Sequence, residues 1–225
     1  MVRHRSGSIA VCVDELPVTG AAISLVAGDE RQEPVFATDH VAGELDELQF
    51  RLGEGPSVEA STRCRPVQVT DLADISDSRW PMFAVAARRT PARGMYVFPL
   101  HAGTTGVGVL ALYHVEPGVL PTSDMGTALC VADAAFWALL GLLSAATPDR
   151  GKAKTVAAPR DWLTGAPLYR TEVYQAIGMI IAQLDVSAEN ALARLRAHAF
   201  VHGPSLAEVA RDVVTRRLRF DKEEK

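Results

Sequence analysis

Apolar positions follow two regimes along this chain. Up to about residue 120, short β-favouring runs alternate with short helices. Residues 21–27 (AAISLVA) and 34–38 (PVFAT) predict two strands, and the polar, glycine-containing GDERQE between them suits a hairpin loop. Residues 66–70 (PVQVT) predict a third strand. Residues 95–101 (MYVFPLH) and 107–115 (VGVLALYHV) are the strongest pair, separated by AGTTG, a loop of hairpin length. In the last run Val107, Val109, Ala111 and Tyr113 alternate with Gly108, Leu110, Leu112 and His114, largely apolar on both sides. A central strand covered on both faces is therefore expected. Residues 80–89 (WPMFAVAARR) predict a short helix with Pro81 in its first turn, where a missing N–H costs nothing. Residues 123–143 predict a longer helix, apolar almost all round, which needs cover on more than one side.

Beyond residue 170 the period becomes helical throughout. Val173, Ala176, Ile177, Ile180, Ile181 and Leu184 recur at helical spacing over 171–184. A second helix starts after Ser187 with Ala188, Ala191, Leu192, Leu195 and Ala199 on one face, and Gly203-Pro204 ends it. A third opens with Ser205 and Glu208 in capping-box spacing and carries Leu206, Val209, Ala210, Val213 and Val214 as its stripe. Between the two regimes lies ATPDRGKAKTVAAPRDWLTGAP, rich in Pro, Gly and charge, which reads as a linker. The expected architecture is α+β: an antiparallel sheet flanked by helices over 1–148, a linker over 149–164, and an all-α three-helix bundle over 165–225.

Composition narrows the class. Hydrophobic residues make up 48% and charged residues 22%, the balance of a globular chain. No run of about 18 apolar residues occurs, so no membrane span is expected. The three cysteines, Cys12, Cys64 and Cys130, are scattered in no metal-ligand spacing, which points to a reducing, cytoplasmic setting without zinc. The net charge of −4 conceals an asymmetry: residues 1–150 hold 11 basic against 18 acidic groups, residues 151–225 hold 12 against 9. A mildly basic tail behind an acidic body hints at an anionic partner for the tail.

Catalytic patterns are missing. The six histidines form no diagnostic spacing with Cys, Ser or acids, and Gly53-Glu54-Gly55-Pro56 lacks the Gly-Lys-Ser/Thr of a phosphate loop. That tetrapeptide reads as a turn that starts a helix near Ser57. Phe36, Trp80, Phe83, Phe98 and Tyr113 are candidates for lining a ligand pocket, with Arg79 placed to meet an anion; the alternative is an ordinary core and a surface arginine. In the tail, Arg194, Arg196, His198 and His202 lie on or near the second helix, and Arg211, Arg216, Arg217 and Arg219 on or after the third. Arg194 and His198 share a face. Such a set grips phosphates or stacks on unpaired bases, or is simply a solvated face.

Two family resemblances attach to these residues. LQFRLGEGPSVEA (48–60), PVQVTDLAD (66–74), Arg79-Trp80-Pro81, FPL (98–100) and GVGVLALYHVEPG (106–118) resemble a GAF domain, a small-molecule sensor fold related to PAS. QAIGMIIAQLDVSAENALARLRAHA (175–199) and SLAEVARDVV (205–214) resemble an ANTAR domain, the RNA-binding output module of transcription antiterminators. Ala176, Gly178, Ala191, Leu195, Arg196 and Ala210 fall on the ANTAR pattern. Ile177 stands where that family commonly has Lys, and Ser57 where GAF relatives often have Cys. The resemblance implies a signal-responsive antitermination regulator that captures tandem hairpins of nascent RNA and prevents a terminator from forming. It implies RNA contacts at Ala176, Gly178, Arg194, Arg196, His198 and Arg211, with Arg196 the strongest candidate. An unknown small molecule is expected at the sensor domain. A homodimer is expected too, with no catalytic residue, metal or cofactor. The competing readings are a ligand-binding or dimerisation scaffold whose helical tail holds a protein partner, or a DNA-binding factor.

Overall fold

The structure, a computed structural model, describes residues 16–27, 31–76, 78–103, 105–146 and 169–220. The expected linker over 149–164, along with Cys12, lies outside the described residues. The described residues separate into two compact units, the first ending with the helix that closes at Ala146 and the second formed by the helices from Tyr169 onward.

The first unit is built on a five-stranded antiparallel sheet of β1 (Gly20–Ala27), β2 (Arg31–Ala37), β3 (Val67–Val69), β4 (Gly94–Ala102) and β5 (Thr105–His114), in the order β2-β1-β5-β4-β3. The longest strands sit at the centre, as their apolar runs predict. β5 pairs with β4 (Met95 opposite Tyr113, Phe98 opposite Leu110) and with β1 (Ile23 opposite Leu110). Alternate side chains point to opposite faces. Ala22, Val67, Val69, Met95, Val97, Val109, Ala111 and Tyr113 enter one apolar cluster, and Ala21, Ile23, Tyr96, Phe98, Leu100, Leu110 and Leu112 another.

Three helices cover the first face: α1 (His40–Leu52), α2 (Pro56–Arg63) and α3 (Pro81–Ala87). The apolar pattern alone predicts no helix at α1. Its signals are local all the same: Asp39 caps it, Oδ1 accepting the Ala42 N–H at 2.9 Å, and Gly53 ends it at φ 69°. The polar positions between Leu45, Leu48 and Leu52 mask the stripe. The opposite face is covered by α4 (Thr122–Ala146), which buries Ala128, Val131, Ala132, Ala135, Phe136 and Leu139. By length and composition Thr122–Gly141 is apolar enough to cross a bilayer; Asp124 and Asp133 interrupt it without lowering its mean enough. The same segment lays its inner face on the sheet, as a core helix does.

The second unit holds α5 (Tyr169–Leu184), α6 (Ala188–His202) and α7 (Leu206–Val214). Ser187 caps α6 through the Asn190 N–H, and Ser205 and Glu208 form the reciprocal capping box expected for α7. Val173, Ala176, Ile177, Ile180, Leu184, Ala191, Leu192, Leu195, Leu206, Val209, Ala210 and Val213 are all buried, so the three stripes converge as their periods require.

Candidate functional site

In the first unit the glycine-rich turn has a structural task. Gly55 adopts φ 131°, and a Cβ there would run into the Gln49 side chain. Gln49, fully buried, accepts the Ser57 N–H through Oε1 at 2.6 Å and donates to the Leu45 carbonyl at 3.0 Å, which ties α1 to the start of α2. Glu54 reaches across to α3, whose N-cap Trp80 offers no side-chain acceptor. One Glu54 oxygen accepts both the Met82 N–H (2.6 Å) and the Phe83 N–H (2.7 Å). A carboxylate on two unpaired helix-terminal donors is a charge-assisted remote cap. Glu54→Ala is therefore expected to cost the first unit about 1–2 kcal/mol, read by chemical denaturation; no measurable loss would mean that the cap is idle. The expected turn into a helix near Ser57 is present, one residue earlier.

The six candidate pocket residues do not share a face. Trp80, Phe83 and Tyr113 belong to the cluster under α1–α3, while Phe98 and Phe36 pack in the cluster under α4. The sheet separates them, because strand neighbours of opposite parity point to opposite sides. A single pocket lined by all of them is ruled out. Phe83 is fully buried and meets Trp80 edge to face at a centroid distance of 6.1 Å. Arg79 is no free cation. It holds Glu59 through two hydrogen bonds (3.1 and 3.0 Å) and lies 4.1 Å from the Trp80 ring centre. Glu59, also paired with Arg63 at 2.8 Å, is held below the usual carboxylate range by the Arg79 hydrogen bond, which outweighs the opposing effect of burial. Tyr113 donates to Asp39 Oδ1 at 3.1 Å, and its phenol is pushed up to about 12, first by burial and then by the Asp39 charge.

Sequence reasoning missed one polar centre. Asp46 of α1 is buried, and one of its oxygens accepts the Ser24 hydroxyl of β1 and, at 2.9 Å, the Gln32 amide of β2. Ser24 and Gln32 meet Asp46 across 22 and 14 residues, and no local pattern announces such a pairing.

The bundle sorts its candidates by exposure. Ala176 is fully buried, so the expected RNA contact at that side chain is corrected: Ala176 and Ala210, both fully buried, serve the close packing of α5 and α7. Gly178 is exposed, and a Cβ there would meet open space. Arg194 is exposed and Arg196 half-buried with its Nε shielded from solvent. Arg211 is exposed but paired with Glu172 of α5 at 3.4 Å. His198 packs its ring against His202 (4.2 Å between centroids) and against Phe220 (5.6 Å, edge to face). Burial, followed by the neighbouring His202, lowers the His198 pKa. The segment after α7 folds back, and the Phe220 N–H donates to Gln183 Oε1 at 3.0 Å.

An antiparallel sheet covered by helices, followed by a small helical bundle with a cationic flank, defines a sensor-like domain joined to a helical output domain. The chain belongs to the GAF domain family, whose model matches residues 9–135, and an ANTAR domain model matches residues 163–214. It therefore combines a sensory domain with a regulatory output domain, both of non-catalytic type. Similar solved structures include the GAF domain/HD domain protein from Geobacter sulfurreducens (14% identity, 59% of this chain and 87% of that one, TM-score 0.46). Another is the GAF domain of a two-component sensor histidine kinase from Bacillus halodurans (15% identity, 60% and 95%, TM-score 0.43). Comparison with curated proteins finds no match.

Proposed function

We propose that this protein is a cytoplasmic, signal-responsive RNA-binding regulator of transcription antitermination. Its bundle captures stem-loops of nascent RNA, and its sensor domain sets whether it does so. The observation that carries this reading is the flank of the ANTAR-matched bundle where the exposed Arg194 guanidinium and the His198–His202 pair stand outside a closed apolar core. Phosphate contacts supply affinity, and cationic or aromatic planes meet unstacked loop bases. Gly178 adds a place where a backbone or base can approach a helix without a side chain between them. Arg196, partly shielded, contributes to the interface and to the bundle together.

The switch is a shift in population, so the signal must bind the RNA-competent arrangement more tightly than the other. Dimerisation through α4 fits this role. Its outer face carries Leu129 and Trp137, 45% and 64% exposed, beside Gly126 and Gly141, which have open space around them. A second copy laid along this face removes that apolar surface from water.

One titration tests the whole reading. A synthetic RNA of two tandem stem-loops binds the full chain, outcompetes duplex DNA, and loses affinity steadily as salt rises. Light scattering of the complex gives two protein copies per RNA. Preference for duplex DNA, or salt-independent binding, would replace RNA with DNA or with a protein partner.

A further inference from the structure

Arg194, His198 and His202 stand at i, i+4 and i+8 on α6, so one strip of the helix carries a fixed cation followed by two titratable ones. The imidazoles touch, with ring centroids 4.2 Å apart and planes inclined at 44°. Phe220 closes the far side of His198, brought there by the segment that follows α7 and anchored by its N–H to Gln183 at the end of α5. From these observations, and resting on the RNA-binding reading above, we propose that this strip is a proton-gated phosphate site: RNA binding takes up protons at His198 and His202, so affinity rises as pH falls through the histidine range.

The surroundings favour gating. Two imidazolium rings at this distance repel each other, so the free protein resists the second proton. A phosphate oxygen beside both rings offsets that repulsion and stabilises the doubly charged pair. His202 occupies the last turn of α6, where the helix dipole also favours positive charge. Asp185, in the turn before α6, and Glu189, in its first turn, lie at the end of the helix opposite His202. On α7, Glu208 is held by Ser205 and Arg211 is paired with Glu172 of α5; Asp212 is paired with Arg217. Gln183 and Phe220, which close this side, are neutral, and Arg219 beside Phe220 is exposed and cationic. Burial acts first on His198, and the His202 ring is the ionisable neighbour that acts on it next. The free-state pKa of His198 lies below the ordinary value near 6.5, and bound phosphate raises it. Proton uptake on binding is therefore greatest between the free-state and bound-state pKa values, and affinity falls as pH rises through the bound-state pKa.

The test uses the full chain and a fluorescein-labelled RNA of two tandem stem-loops, with Kd measured from pH 6 to pH 8 at constant ionic strength. Wild type should bind roughly tenfold more tightly at pH 6 than at pH 8, since up to two protons are linked to one binding event. In the double variant His198→Gln, His202→Gln that ratio should collapse towards one. Arg194→Ala should weaken binding at both ends and leave the ratio in place. Helical circular dichroism matched to wild type establishes that the variants are folded. A wild-type affinity that does not change with pH, or a double variant that keeps the wild-type ratio, would overturn the proton gate while RNA binding stands. Absence of binding at every pH would overturn the RNA reading itself, and the gate with it.

Discussion

Phe83→Ala is expected to destabilise the GAF unit by about 4 kcal/mol, the order found when a fully buried phenylalanine is truncated and its cavity only partly collapses. Phe83 has no exposed surface, sits on α3 where that helix packs against α1, and belongs to the apolar cluster that also holds Leu45, Leu48, Met95, Val97 and Val109. The change removes apolar area, the edge-to-face contact with Trp80, and packing that fixes the Trp80–Arg79–Glu59 arrangement. Denaturation followed by tryptophan emission reads the loss directly. The helical signal of the bundle should keep its own midpoint, because none of its core residues belongs to this cluster. A loss below about 1 kcal/mol would show that the cluster is not close-packed around Phe83.

Arg194→Glu is the substitution expected to act most strongly on RNA binding. Arg194 is exposed, so reversing its charge leaves the bundle core intact, while a phosphate contact becomes a repulsion. Affinity for the tandem stem-loop RNA should fall between roughly tenfold and a hundredfold, and the salt dependence should become shallower by about one ion. The thermal midpoint of the bundle should move little. Gly178→Ala makes an instructive companion. A mid-helix glycine costs about 0.5–1 kcal/mol relative to alanine, and nothing in the bundle occupies the space a Cβ would take. The variant should therefore be more stable and bind RNA more weakly. Stabilisation without loss of affinity would remove Gly178 from the interface.

Arg196, singled out by its place in the ANTAR pattern, shows why such ranking needs the fold. Motif register places it on the helix, but its shielded Nε makes it partly a packing residue. Arg194, one turn from His198, presents the cleaner cation. Arg79 and Arg211 teach the same lesson through their carboxylate partners, Glu59 and Glu172, at separations of 20 and 39 positions along the chain. A cation available on paper is neutralised by a residue that only folding brings near.

Much was legible without coordinates because its physics is local. Helical period, capping residues and strand alternation act within a few neighbours, so the five strands, the capping box of α7, the cap at Ser187 and the core stripes of the bundle follow from residue order alone. The helix α1 was hidden for an equally local reason: Asp46 and Gln49, polar by type, occupy its buried face. Their partners, Ser24, Gln32 and the Ser57 N–H, lie on other elements. Tertiary structure alone decided that Phe98 and Phe36 lie across the sheet from Trp80, Phe83 and Tyr113, that Ala176 faces a helix rather than solvent, and that Phe220 returns to His198. Each of these depends on which surfaces meet, and meeting is fixed by packing between distant segments, which residue order constrains only through the whole fold.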